Sequence, residues 1–249
     1  MKKKKLIFLD TETTGNDLEK DRLCQVAYEE VILQGRTDSK KSEKMKAQNF
    51  KPPIPISVKA MSITHITNKM VEKEKAFQGS KFVKDLEKVL QNNIMVAHNA
   101  KFDIAMLSNE DIKVPQFICT LRLARYLDEE QEIPEYNLQF LRYYYEVDVE
   151  VNPHSAEGDV IVLEAIFNHL FEIAQKKAPK ASEEKIIERM VDISANPVLI
   201  KKFTFGKYTG ERVADIVQKD RQYLNWLKKT KEEEGTDEDW LFTLKHCLK

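Results

Sequence analysis

Four apolar residues, Leu6-Ile7-Phe8-Leu9, run without interruption into Asp10-Thr11-Glu12-Thr13-Thr14-Gly15. An unbroken apolar run of this length, closed by a Thr/Gly turn, has the pattern of a central strand buried on both faces. Side chains alternate along a strand, so Asp10 and Glu12 leave the same face. Two carboxylates directed together at the end of such a strand repel each other unless a cation lies between them. A ligand set made only of oxygen suits a hard ion, Mg²⁺ or Mn²⁺. A lone Asp-x-Glu is more often the solvated end of a surface strand, so the reading depends on further acids downstream.

Two further segments supply them. Ile94–Ala97 is a second unbroken apolar run, and His98-Asn99-Ala100-Lys101-Phe102-Asp103 crosses from it into a helix, with Asn99 at the N-cap. Asp103 then occupies the first helical turn beside a strand end, where a sheet of this kind places a ligand. An acid in that turn also offsets the helix dipole with no ligand at all. The third segment, His154-Ser155-Ala156-Glu157-Gly158-Asp159, leads into an apolar stretch. Leu163, Ile166, Leu170 and Ile173 follow Asp159 at offsets of four, seven, eleven and fourteen, which puts the acid on the core-facing stripe of a helix. A buried carboxylate needs a cation or a bonded network. His154, in the loop or first turn, stands where a histidine would accept a proton from an attacking water, although a lone histidine there is more often an ordinary loop residue.

Asp10, Glu12, Asp103 and Asp159, with His154, thus come from three segments that meet in one mixed α/β layer. The set resembles the DEDDh branch of the DnaQ-like 3′→5′ exonucleases, whose three motifs are matched here in order. The histidine, where relatives of the DEDDy branch have tyrosine, selects the branch. The likeness narrows to the exodeoxyribonuclease X group at Ala60–Thr67, Ile118–Arg125, Phe203–Gly210, Asp220–Leu227 and Thr243–His246, and so runs from the first strand nearly to the last residue. It implies an RNase H-like α/β fold, a mixed central sheet flanked by helices, with a small C-terminal module of a hairpin and helices. It implies a DNA exonuclease of repair or recombination that releases nucleoside 5′-monophosphates from 3′ ends. Two Mg²⁺ ions, replaceable by Mn²⁺, would be held by the four acids, with His154 as general base. The terminal nucleotide would meet the backbone around Thr11 and Thr13, together with Ile63, His65 and Asn99. Two departures stand out: Thr64 follows Ile63 where relatives often have histidine, and Asn16-Asp17 follow Gly15 where relatives can place an apolar wedge. An RNA 3′-end trimmer of the same fold and a non-catalytic nucleic-acid-binding adaptor are the rival readings; five intact catalytic positions weigh against the adaptor.

Charge and composition bound the partners. Lys+Arg (40) and Asp+Glu (41) cancel, so contact with DNA or RNA must come from local patches rather than a global basic field. Arg122 and Arg125, one helical turn apart, are either such a patch or a solvated face. Lys201, Lys202, Lys207 and Arg212 gather around the expected C-terminal hairpin as a second patch. The aromatic-rich stretch Tyr136–Tyr145 reads as core. Three widely spaced cysteines with no CxxC pair argue against a disulfide framework or zinc site and fit a reducing cytoplasm. The Lys2–Lys5 run is followed by only four apolar residues before Asp10, which predicts neither a signal peptide nor a membrane span. A charged linker over 177–185 is expected to divide an exonuclease domain, 1–176, from a module, 186–249, whose core would be Phe205, Tyr208, Tyr223 and Trp226. All four acids precede the linker, so a chain ending near Ala178 is expected to fold and cut alone. Any protein partner of the module is not legible in the sequence.

Overall fold

The Leu6–Leu9 run forms the middle of β1 (Lys5–Thr13), the central strand of a five-stranded sheet ordered β3-β2-β1-β4-β5. A computed structural model of the protein describes residues 4–32, 45–149, 156–234 and 237–249. His154 and most of the Lys/Ser/Glu-rich stretch after Gly35 lie outside the described residues. On one side, β1 pairs antiparallel with β2 (Leu23–Ile32), which pairs antiparallel with β3 (Lys46–Asn49). On the other side it runs parallel to β4 (Ile94–Ala97), and β4 parallel to β5 (Phe117–Cys119). The expected mixed sheet is therefore present, and parallel pairing at its centre explains why β1 and β4 read as continuous apolar runs.

Alternation along β1 divides the core into two layers. Leu6 and Phe8 face a cluster built on α7 (Ala156–Lys177), with Val160, Leu163, Ile166, Phe167 and Leu170 all buried. Phe8 and Phe167 meet edge-on, ring centroids 5.4 Å apart. Ile7 and Leu9 face the other layer, against Leu86 and Leu90 of α3 (Lys81–Asn92) and Met106 and Leu107 of α4 (Ala100–Ser108). Each of these side chains contributes roughly 1.5–3 kcal/mol by leaving water. Short helices α1 (Val58–Thr64) and α2 (Asn68–Val71) lie ahead of α3; α5 (Thr120–Leu127) and α6 (Leu138–Tyr144) complete the α7 side. Serine and asparagine caps set several starts: Ser57, Ser80 and Asn137 accept from the amides of Ala60, Val83 and Phe140. Asn99 occupies the expected N-cap of α4 but in left-handed backbone, φ 59°, and its side chain caps nothing.

The C-terminal part differs from expectation in three ways. Helix α8 (Glu183–Ala195), which the sequence reading assigned to the linker and module, packs Ile186, Ile187 and Met190 into the same core cluster as Phe8 and Phe167. Its apolar stripe is complementary to α5 and α7, a fit that composition alone does not reveal. A chain ending near Ala178 would strip these three residues from the core, so the expected independent folding of such a piece conflicts with the packing. The hairpin over Phe203–Gly210 reduces to an isolated Lys202–Arg212 bridge around a single 3₁₀ turn, Gly206–Tyr208, with Gly206 and Gly210 at φ 72° and 84°. Finally, the small core there centres on Phe203, Tyr208, Leu224 and Trp240, built from that turn, α9 (Val213–Lys219), α10 (Arg221–Glu234) and α11 (Glu238–Cys247). Tyr223 is only partly buried and Trp226 is 57% exposed, because Leu224 and Leu227 are the face of α10 that packs inward; Phe205, ahead of the turn, is 37% exposed.

Candidate active site

The overhang of β1 builds the site. The strand pairs with β4 only over Leu6–Phe8, while its ladder with β2 continues to Thr13, so Asp10 and Glu12 project past the end of β4. They share the face of Leu6 and Phe8. The alternation that sets Phe8 against Phe167 therefore also aims both acids at the start of α7. Asp159 waits in the first turn there, at the end of the predicted stripe. Carboxylate oxygens of Asp10, Glu12 and Asp159 all lie within 4.8 Å of one another.

Asp103 arrives from the opposite layer. It sits in the first turn of α4, only 4% exposed, and is not a member of that three-carboxylate group. Thr11, which alternation turns to the other face of β1, donates its hydroxyl to Asp103 Oδ1 at 2.7 Å. Of the four predicted acids, three thus form one group and Asp103 lies outside it, still near enough that its charge acts on Asp10 more strongly than those of Glu12 and Asp159.

The electrostatics are those of a site built for a cation. Burial, then the charges of Asp103, Glu12 and Asp159, hold the Asp10 carboxyl well above the usual carboxylate range. Burial and the neighbouring Asp159 and Asp103 push Glu12 up to about 8. Burial raises Asp103 to about 7, opposed by the Thr11 hydroxyl bond. Carboxylates that resist ionisation alone will ionise beside a divalent ion. Two ligand oxygens on one octahedral Mg²⁺ are about 3–4 Å apart, so this all-oxygen set fits a hard metal.

Two residues absent from the sequence reading support Asp159. Gln139 of α6 donates Nε2–H to Asp159 Oδ1 at 2.7 Å. Gln25 of β2, opposite Glu12 in register, accepts the Ala156 amide on Oε1 at 3.1 Å. A glutamine in an amphipathic stretch carries no signal that marks it for such a task.

The expected nucleotide contacts are placed as follows. Thr11 and Thr13 are buried and bonded internally, Thr13 Oγ1 to the Gly15 carbonyl at 2.6 Å, so only their backbone is available to a ligand. Helix α1 is tied to the end of β1 by the Ser57 amide on the Thr14 carbonyl, 3.0 Å. It leaves Ile63 48% exposed and His65 exposed at its C-cap. Asn99, also exposed, lines a cleft of about 300 Å³ with Lys101, Arg122, Lys231 and Glu238, between α4 and the C-terminal helices. Arg122 and Arg125 are neither a phosphate patch nor a solvated face. Asp239 of α11 takes Arg122 Nε at 3.1 Å and Arg125 Nη1 at 2.7 Å, and Glu238 takes Arg122 Nη2 at 2.5 Å. Lys202 and Lys207 of the second patch are paired with Glu132 and Asp220.

Residues 7–167, from β1 into α7, match the exonuclease family across the whole span that carries the four acids. The chain belongs to this exonuclease family. Residues 203–231 match a second family, the exodeoxyribonuclease X-like C-terminal region. Exodeoxyribonuclease 10 of Escherichia coli K12 is 30% identical over 249 residues, 98% of each chain. Among solved structures, exonuclease X in complex with 5′ overhanging duplex DNA superposes with a TM-score of 0.56 at 27% identity, over 76% of this chain and 99% of that one. The nuclease domain of a DEDDh family member bound to rAMP has a TM-score of 0.54 at 17% identity, covering 68% and 92%, a likeness of fold. The expected RNase H-like sheet and the expected 3′→5′ exonuclease both hold for this exonuclease.

Proposed function

We propose that the exonuclease removes nucleoside 5′-monophosphates from DNA 3′ ends with two Mg²⁺ ions, for which Mn²⁺ can substitute. The observation that carries this reading is the convergence of Asp10, Glu12 and Asp159 within 4.8 Å, in surroundings that raise the proton affinity of Asp10 and Glu12. These three acids would hold the ions together with Asp103, whose charge acts on both Asp10 and Glu12. When bound, the metal supplies Lewis-acid stabilisation of charge on the scissile phosphate and the leaving 3′ oxygen. His154, five residues before Asp159, takes the proton of the attacking water. Backbone at Thr11–Thr13, with Ile63, His65 and Asn99, orients the terminal nucleotide. A DNA rather than RNA substrate is favoured because the relative matched over 98% of both chains is an exodeoxyribonuclease.

Single-stranded 3′ ends are the better substrate. After Gly15 the chain makes a polar turn in which Asp17 Oδ1 accepts the amides of Glu19 and Lys20 at 3.0 and 3.1 Å, and Leu18 packs inward. No apolar side chain stands there to part a blunt end. The proposal places the chain in DNA repair or recombination, in the cytoplasm; among the described residues no helix is long and apolar enough to cross a membrane. It also moves the domain boundary to the segment after α8.

The test is degradation of matched, labelled DNA and RNA oligomers, with Mg²⁺ and with EDTA, by the wild type and Asp159→Asn. DNA should yield 5′-mononucleotides with Mg²⁺ alone and none with the variant. Wild-type turnover in EDTA or by the variant refutes the metal assignment, and faster loss of RNA transfers the proposal to an RNA trimmer.

A further inference from the structure

We propose that Gln139 is a positioning residue that sets the geometry of the metal site by holding Asp159; this rests on the reading of Asp159 as a metal ligand. Asp159 stands at the end of a helix, facing Asp10 and Glu12, and the mutual repulsion of three carboxylates favours rotamers that turn it away. Its position toward the other two acids therefore needs an external restraint. Gln139 supplies one, a 2.7 Å bond from Nε2 to Asp159 Oδ1. The amide orientation follows from chemistry, since the carbonyl end of the glutamine would set an acceptor against an acceptor.

The identity of the residue matters as much as its place. An amide gives the carboxylate a hydrogen bond and leaves its negative charge for a cation. Lysine or arginine at the same point would neutralise that charge and compete with the metal. The support is also stiff. Gln139 lies in the first turn of α6, which is capped by Asn137 and anchored by fully buried Leu141 on the α7 side of the core. From the other direction Gln25, itself fixed by donating to Asn49 Oδ1 at 2.8 Å, holds the Ala156 amide. Gln25 stands opposite Glu12 in the β1–β2 ladder, so two neutral side chains fix the start of α7 relative to Glu12.

Partners one bond removed from a metal ligand typically govern about 10–100-fold in affinity or activity. The test uses full-length Gln139→Met, which keeps length and removes the donor, and Gln139→Asn, which stays polar but is too short to reach Asp159. Asp159→Asn is the control. Calorimetric titration of Mn²⁺ into DNA-free protein should give a Kd raised about 10-fold in both Gln139 variants. Single-turnover cleavage of a single strand should slow by a similar factor and recover as Mn²⁺ is raised, with KM for DNA unchanged. Their melting temperatures should stay near that of the wild type, since the residue serves the site more than the core. Wild-type Mn²⁺ affinity and rate in both variants, with Asp159→Asn inactive, overturns the positioning role alone. An Asp159→Asn enzyme that binds Mn²⁺ and cuts normally overturns the metal reading beneath it. A loss of melting temperature in both variants with Mn²⁺ affinity intact would show that Gln139 merely supports the fold.

Discussion

Asp239→Ala tests how the C-terminal helices are fastened to the exonuclease layer. Asp239 is 3% exposed and accepts three bonds: Arg122 Nε at 3.1 Å, Arg125 Nη1 at 2.7 Å and the Val198 amide at 3.2 Å. Arg122 is itself 5% exposed, and its remaining contacts are the Ser194 carbonyl at 2.8 Å and Glu238 at 2.5 Å. Removing one partner of a buried pair usually costs about 3–5 kcal/mol, because the other charge is left desolvated. Here Arg122 keeps a carboxylate and a carbonyl, and Arg125 has access to water, so the lower end applies, about 3 kcal/mol. That is a large share of the roughly 5–15 kcal/mol by which a domain is stable. Urea unfolding of wild type, Asp239→Ala, Arg122→Met and the double variant measures it directly. The two single losses should overlap, with an interaction energy of about 1 kcal/mol or more. A drop in Asp239→Ala below about 0.5 kcal/mol, the scale of an ordinary surface change, would refute the reasoning.

Four further outcomes are expected. In metal-free protein, Glu12 and Asp103 bind protons more tightly folded, at about 8 and about 7, than at their ordinary 4.5 and 3.8, so their stabilising contribution is lost as pH rises through that interval; calorimetric melts should fall from pH 5 to 8 in EDTA and recover with Mg²⁺, and a flat EDTA series would count against the cluster. His98, held neutral by burial with its pKa near 4 against an ordinary 6.5, contributes at most about 3 kcal/mol that is present above pH 6.5 and disappears as pH falls toward 4; His98→Gln should flatten that acid slope in unfolding experiments. Gly15→Ala would place a methyl 2.4 Å from Oδ2 of Asp21, a carboxylate fixed by the Thr14 hydroxyl on Oδ1 and the Asp17 amide on Oδ2, so overpacking should cost about 1–3 kcal/mol in thermal unfolding. His154→Ala should bind Mn²⁺ as the wild type does and cut about 10²–10⁴ times more slowly in single-turnover quench experiments.

What could be read from the sequence is what periodicity encodes. The two-residue repeat of β1 put Asp10 and Glu12 on one face, and the helical offsets from Asp159 to Leu163, Ile166 and Leu170 put that acid on the core stripe; both placements hold. Periodicity also allowed Asp103 to be set beside the strand end. It did not show that the hydroxyl of Thr11, on the other face of β1, would bond Asp103. Nor did it mark Gln139 or Gln25, since a glutamine that bonds a carboxylate and one that faces water have the same local sequence. A face can be inferred from one segment; a partner depends on two.

The arginines of α5 show the same limit and change the view of the C-terminal module. Arg122 and Arg125 have identical local sequence whether they meet water, phosphate or a buried acid, and the acid they meet is more than a hundred positions away, Asp239 with a separation of 117 from Arg122. The lysines of the supposed DNA grip are committed in the same manner. Lys201 and Lys202 reach Glu130 and Glu132 of the exonuclease layer, and Lys207 reaches Asp220 within the module. Exposed pairs of this kind are individually worth only about 0–1 kcal/mol, so a phosphate can still displace them. What they remove is the uncompensated field that would draw DNA to the module and make its binding steeply salt-dependent. Two of the four cations that looked like a binding patch thus act across the module boundary, toward the acidic run after α5. Together with the Asp239 clamp, they fasten the module to the exonuclease layer.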